Sequence, residues 1–161
     1  MDTVIRPIRE SDIDAVIELS ILAWSPVHAS FREILGSALY EHIWPDWKAE
    51  WKNDIPLLPM RDSEIITYVA ECDSVVVGFV SFKINNERKE GNLQGIAVHP
   101  DYQCKGIGTE LNVYALDRMK ELGMKMAIAE TGGDESHLPA RISYEKSGYT
   151  GLPLVRYFKL L

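Results

Sequence analysis

Gln103-Cys104-Lys105-Gly106-Ile107-Gly108, entered through Val98-His99-Pro100 and left through a long amphipathic segment, is the stretch on which the reading of this chain turns. Two glycines one residue apart sit where an apolar, strand-like run gives way to a helix-like one. At such a junction successive backbone N–H groups converge on one concavity at a helix N-terminus. The helix macrodipole adds partial positive charge there and Lys105 a full one, so the expected occupant is a pyrophosphate-bearing cofactor. Gln103, Cys104, Lys105, Gly106, Ile107, Gly108 and Thr109 are the residues expected to hold it. Two common phosphate fingerprints are incomplete here. A dinucleotide loop needs a third glycine where this chain has Leu111, and a mononucleotide loop needs a Gly-Lys-Ser/Thr ending where it has Gly108-Thr109-Glu110.

Outward from the loop, residues 93–98 read as a strand whose interior Gly95 marks either a bulge or a simple loss of side-chain packing; its place just upstream of the loop favours the bulge. Downstream, Leu111, Tyr114, Ala115, Met119 and Leu122 form a helical stripe, and Gly123 stands where a left-handed cap belongs. A strand is expected at 124–130, a turn at Thr131-Gly132-Gly133-Asp134, and a helix at 136–147 stopped by Gly148. Residues 155–160 are expected to close the sheet.

The first half opens with a strand over 3–9 and a helix over 12–24 capped by Ser11 or Asp12. Ser25-Pro26 is read as a break, with a helical pattern resuming over 27–43. Trp44, Trp47 and Trp51 follow at spacings that put three rings on one helix face. Such a stripe is usually core; the alternative is that one or two rings line a substrate pocket. Residues 53–63, with Pro56 and Pro59, read as a loop able to cover that pocket. Residues 64–71 and 75–84 read as a hairpin joined at Cys72-Asp73-Ser74, and 85–90 as a polar connection.

With 161 residues, 46% of them hydrophobic, the chain is expected to be one domain, 1–161, with a core of its own. Charges among residues 5–10 interrupt any signal-peptide core, and no apolar run is long enough to span a membrane, so a cytoplasmic protein is expected. The net charge of −7 argues against nucleic-acid partners and weakly favours a cationic or amine-bearing substrate, although it equally serves solubility. Cys72 and Cys104 lack metal-ligand spacing and read as free thiols.

The Gln103-x-x-Gly106-x-Gly108 pattern behind Val98-x-Pro100 resembles motif A of the GNAT family of N-acetyltransferases. A second block, Ala140-Arg141-Ile142-Ser143-Tyr144-Glu145-Lys146-Ser147-Gly148-Tyr149, is similar to that family's motif B, and the two stand in the family's order and spacing. The resemblance extends over residues 3–161 and is strongest over 96–149. It implies an α/β fold with a mixed, mostly antiparallel central sheet, one splayed strand and flanking helices. It implies acetyl-CoA as cosubstrate and acetyl transfer by direct attack of a primary amine, here expected on a small molecule. Main-chain groups of Ile96, Ala97 and Val98 would meet the pantetheine arm and acetyl carbonyl, with the N–H of Val98 as the oxyanion donor.

Tyr144 occupies the position that, in the family, touches the coenzyme sulfur and acts as general acid; a packed aromatic with its hydroxyl tied up is the alternative. For the base, Glu130, Asp134 and His137 are the candidates. His137 departs from the family, where Asn commonly stands three residues before the motif B alanine. An imidazole titrates near neutrality, which suits a base, while capping or a coenzyme contact is the more ordinary role. Relatives often pair, and the apolar run 155–161 offers an edge for a homodimer. Rival readings are a non-catalytic acyl-CoA-binding module and a protein or peptide N-acetyltransferase, the latter needing an open groove.

Overall fold

A computed structural model describes residues 2–58 and 64–161. Five strands lie side by side in chain order: β1 (Thr3–Pro7), β2 (Ile66–Cys72), β3 (Val75–Asn85), β4 (Glu90–Val98) and β5 (Met126–Ile128). The first four are antiparallel and β5 is parallel to β4. The β2–β3 turn places Asp73 at φ 49° and Ser74 at φ 65°, the paired positive angles whose twist matches flanking strands. Between β3 and β4 the register moves from Ser81↔Gly95 to Phe82↔Leu93, so Gln94 is the extra residue of a bulge beside Gly95, as expected.

Alternation along the strands feeds two helical layers. Val69, Phe79 and Ala97 face α1 (Ile13–Leu35) and pack on Val16 and Leu19. Their neighbours Ala70, Val80 and Val98 face the other way, onto Ile107, Leu111 and Ala115 of α4 (Ile107–Glu121). The Arg6 guanidinium ties β1 to both sides: it holds Asp12 at 2.7 and 2.9 Å and Glu71 at 2.6 and 2.8 Å. Those hydrogen bonds, together with one from the Arg9 N–H, outweigh burial and lower the Asp12 carboxyl below the usual carboxylate range.

Several expectations from the sequence are corrected. Ser25-Pro26 does not end the first helix; α1 runs unbroken through Pro26 to Leu35. A proline inside a helix costs about 3 kcal/mol; Pro26 is itself exposed, and burial of Val27 and His28 just beyond it offsets that cost. The real break is Gly36 at φ 75°, after which α2 (Ser37–Ile43) begins, so 27–43 is not one helix. Trp44 ends α2, and Asp46 accepts from the Ala49 N–H to start α3 (Trp47–Asp54), so the three tryptophans do not share a helix. The expected loop at 53–63 is helical through Leu57, and 59–63 lies outside the described residues.

Strand β4 begins at Glu90, inside what reads as a polar connection, and β5 is three residues long where 124–130 was expected. Residues 155–160 do not close the sheet, and 149–161 carry no regular structure. The helix near the C-terminus, α5 (Leu138–Lys146), and its stop at Gly148 (φ 90°) follow the expectation. No helix among the described residues is long and apolar enough to cross a membrane.

Candidate functional site

The loop at the start of α4 has the property its glycines predict. Gly106, the residue before the helix, sits at φ 90°, and Cys104 at φ 61°. A side chain at Gly106 would meet nothing nearer than the Glu110 carboxylate at 3.9 Å, so the angle and not crowding explains the glycine. Thr109 and Glu110 give their N–H groups to the Gly106 carbonyl at 2.9 and 3.0 Å. The N–H groups of Cys104, Lys105, Gly106, Ile107 and Gly108 find no acceptor among the described residues. Five successive unpaired donors at the positive end of a fifteen-residue helix fit a diphosphate.

The margins of the expected set are spent on the fold. Gln103 bonds through its N–H to the Pro100 carbonyl (3.2 Å) and through Nε2 to the Val98 carbonyl (2.9 Å), locking strand end to loop. The Thr109 N–H is taken by Gly106, and its hydroxyl lies 3.4 Å from that of Ser143. Lys105 donates to the Asp101 carbonyl at 2.8 Å and lies 4.9 Å from the Tyr102 ring centre, exposed at the loop's rim.

Upstream, β4 is paired with β5 only over Glu90–Asn92. Beyond that the two strands part, and residues 93–98 hydrogen-bond on the β3 side alone. The His99 N–H points to β3, at 2.8 Å from the Val77 carbonyl, so by alternation the Val98 N–H faces the open side. This is the splayed strand, and Ile96, Ala97 and Val98 lead along it directly into the loop of unpaired amides.

Helix α5 bridges the two halves. Ser143 and Ser147 meet Thr109 and Asn112 of α4, the latter through Asn112 Nδ2 donating to Ser147 Oγ at 3.0 Å. Next to that seam Tyr144 packs against Tyr149 with ring centres 5.5 Å apart, and burial, with the neighbouring Tyr149, pushes its hydroxyl up to about 12. The Tyr144 hydroxyl makes no hydrogen bond among the described residues, so it is not tied up. At the other end His137 Nδ1 lies 2.6 Å from Asp134 Oδ1, and Ser30 of α1 donates to Asp134 Oδ2 at 2.7 Å. Burial alone would raise the Asp134 carboxyl, but hydrogen bonds from Ser136, Ser30 and His137 prevail and hold it well below the usual carboxylate range.

The imidazole of His137 is buried behind Phe31 (ring centres 5.4 Å) and Trp24 (6.4 Å). Glu130 is exposed in the coil after β5 with no ion pair or side-chain hydrogen bond among the described residues.

On the α1 side of the bulge lies a cavity of about 410 Å³. All four tryptophans of the chain, Trp24, Trp44, Trp47 and Trp51, line it with Phe31 and His28; Ser81, Gln94 and Gly95 form its floor, and the exposed carboxylates Glu50 and Asp54 complete its rim. The tryptophans thus line a pocket, the less usual of the two readings of their spacing. The sequence reading missed Trp24, His28 and Phe31. They stand at i, i+4 and i+7 of α1, a shared face hidden by treating Pro26 as a break. His28 stacks on Trp47 at 4.0 Å and 8°, bonds through Nδ1 to the Tyr40 hydroxyl at 3.1 Å, and is lowered by burial to about 4, so it is neutral at pH 7.

Comparison with known proteins agrees with this geometry. The model of the acetyltransferase (GNAT) family matches residues 36–149. The PaiA N-acetyltransferase of Thermoplasma acidophilum, solved with coenzyme A, superposes with a TM-score of 0.69 at 23% identity, covering 91% of this chain and 89% of its own. The aminoglycoside 6'-N-acetyltransferase AAC(6')-Ih of Acinetobacter baumannii has a TM-score of 0.64 at 20% identity over 99% of both chains. AAC(6')-Iy, solved with the bisubstrate analogue CoA-S-monomethyl-acetylneamine, has 0.65 at 15% identity over 100% of this chain and 99% of its own. At such identities the superpositions speak for the fold. No curated protein matches the sequence significantly.

Proposed function

The chain belongs to the acetyltransferase (GNAT) family, and from that premise we propose that it transfers an acetyl group from acetyl-CoA to a primary amine on a small molecule. The observation that carries the reading is the run of five amides, Cys104 to Gly108, unpaired among the described residues and opening onto a one-sided strand whose bulge floors an aromatic cavity. Those amides would hold the diphosphate of acetyl-CoA, with Lys105 at its rim and the open side of Ile96, Ala97 and Val98 beside the pantetheine arm. Acetyl-CoA supplies the thioester carbonyl that the amine attacks.

The chain's own groups serve the steps around that attack. Holding both reactants in one cleft supplies much of the rate by proximity. The Val98 N–H, aimed at the open side, stabilises developing negative charge on oxygen. Tyr144 keeps its proton at every physiological pH, which suits a donor to a departing thiolate. The base roles proposed for His137 and Glu130 differ in support: His137 is fixed by Asp134 through Nδ1, leaving Nε2 to accept a proton, whereas Glu130 has nothing among the described residues to orient it.

The cavity favours a small acceptor over a peptide, because α1, the α2–α3 turn and α3 line it with aromatic rings. Among the described residues its rim carries two carboxylates and its lining has no Lys or Arg, which favours a cationic body stacked among the rings. Release of free thiol from acetyl-CoA, measured across a panel of alkyl-, di- and aromatic amines, tests the proposal. Turnover with amines sustains it; coenzyme binding without thiol release under any amine replaces it with a non-catalytic binding module.

A further inference from the structure

Asp134 gives its two carboxylate oxygens to neighbours from distant parts of the chain. Oδ1 lies 2.6 Å from His137 Nδ1, while Oδ2 accepts from the Ser136 hydroxyl, from the Ser136 N–H at 3.3 Å and from the Ser30 hydroxyl at 2.7 Å. Ser30 stands 104 residues earlier, on α1. These hydrogen bonds keep the carboxyl ionised against its burial, which removes Asp134 from the candidates for the base: its oxygens are engaged and its affinity for a proton is low. An ionised carboxylate can only accept, so the proton between the two groups belongs to His137 Nδ1. On a neutral ring Nε2 is then a bare lone pair, and it finds no partner among the described residues.

Two further residues make this approach possible. A side-chain carbon at Gly132 would collide with both His137 Nδ1 and Asp134 Oδ1, so the pair can close only over a glycine. Arg141 Nη1 donates to the Gly132 and Asp134 carbonyls, each at 2.7 Å, and pins the turn to α5. One face of the imidazole lies against Phe31, with ring centres 5.4 Å apart at 28°. Phe31 is the neighbour of Ser30 on α1 and lines the aromatic cavity, so one helix carries both a wall of the cavity and the hydroxyl that holds Asp134.

We propose that Asp134, latched to α1 by Ser30, is a positioning residue that fixes His137 with its proton on Nδ1 and presents a bare Nε2 to the attacking amine. The inference rests on the acetyl-transfer reading for the source of the proton. The amine nitrogen forms its bond to the thioester carbonyl carbon and gives a proton to Nε2; the carbon–sulfur bond breaks and the thiolate takes the Tyr144 proton. Solvent carries the imidazolium proton back to Tyr144, which leaves amide and free thiol as the products. Asp134 stays ionised throughout and balances the imidazolium charge.

The first measurement uses the unaltered chain and neither substrate. Imidazole nitrogen resonances, recorded where the ring is neutral and assigned by their loss in His137→Gln, should show Nδ1 protonated and Nε2 bare. A ring protonated at Nε2, or one averaging between the two forms, overturns the proposal. Asp134→Asn should lose that tautomer and lower kcat roughly 10²-fold, with the amine KM and the acetyl-CoA Kd nearly unchanged. Ser30→Ala should lower kcat roughly tenfold, and Ser30→Thr, which keeps the hydroxyl, should stay near wild type. Full turnover in Asp134→Asn, or equal losses in the two Ser30 variants, contradicts the latch. Absence of thiol release with every amine overturns the acetyl-transfer reading instead, and the tautomer, read without substrates, still decides the geometry of the pair.

Discussion

The loop of unpaired amides and the aromatic cavity, proposed as halves of one site, are built on opposite physical plans. The loop is backbone: five successive amides, fixed by one left-handed glycine and one helix start, all within a few residues of sequence. The cavity is side chains: rings from α1, the α2–α3 turn and α3, brought over the β4 bulge by packing between distant segments. A local backbone device repeats because few sequences can make it. A wall of side chains varies freely while the scaffold stays the same. The difference teaches where common chemistry would end and selectivity begin: on the proposed reading, the loop answers for the coenzyme and the cavity for the acceptor.

Changing both loop glycines should break the comparison most sharply. Gly106→Ala with Gly108→Ala forces a side chain into a left-handed angle and disturbs charge-assisted bonds worth about 1.5–3 kcal/mol each, so acetyl-CoA affinity by calorimetry should fall roughly 10³-fold. Wild-type affinity would remove the loop from the site. Tyr144→Phe comes next, with kcat lowered roughly 10²-fold and the acetyl-CoA Kd nearly unchanged. Equal turnover would return Tyr144 to the role of a packed aromatic.

On the cavity side, Trp47→Ala should raise the KM for the amine roughly tenfold through lost stacking, with coenzyme affinity untouched. If it weakens the coenzyme equally, the two halves are not separable. The smallest effect is on stability. His28 is held below its unfolded value, so its contribution is fully present above about pH 6.5 and is lost as pH falls from there toward 4, where the folded protein also takes up the proton. Melting temperature should drop by a few degrees over that window, and a His28→Asn variant should lose this part of the pH dependence.

The two halves were unequally legible for the same reason that they differ. Gly106, Gly108 and the stripe from Leu111 to Met119 announce loop and helix from neighbours in sequence, and Gly95, standing just upstream of that loop, favours the β4 bulge. The cavity was glimpsed only as three tryptophans, and on the wrong element. Its first wall vanished when Pro26 was read as a stop, because tertiary burial of Val27 and His28 carries α1 past a residue that local rules treat as a breaker. The tail failed differently. Residues 155–160 have a strand's composition, but among the described residues no strand pairs with them.

The central claim is that the amides from Cys104 to Gly108 grip a diphosphate. At 18.2 kDa the protein suits backbone amide resonance spectroscopy, titrated with coenzyme A and, separately, with pantetheine, which lacks the diphosphate. The account predicts that coenzyme A moves the Cys104, Lys105, Gly106, Ile107 and Gly108 amide signals while pantetheine leaves them in place. Loop amides that stay put with coenzyme A, or that move equally with pantetheine, would contradict it.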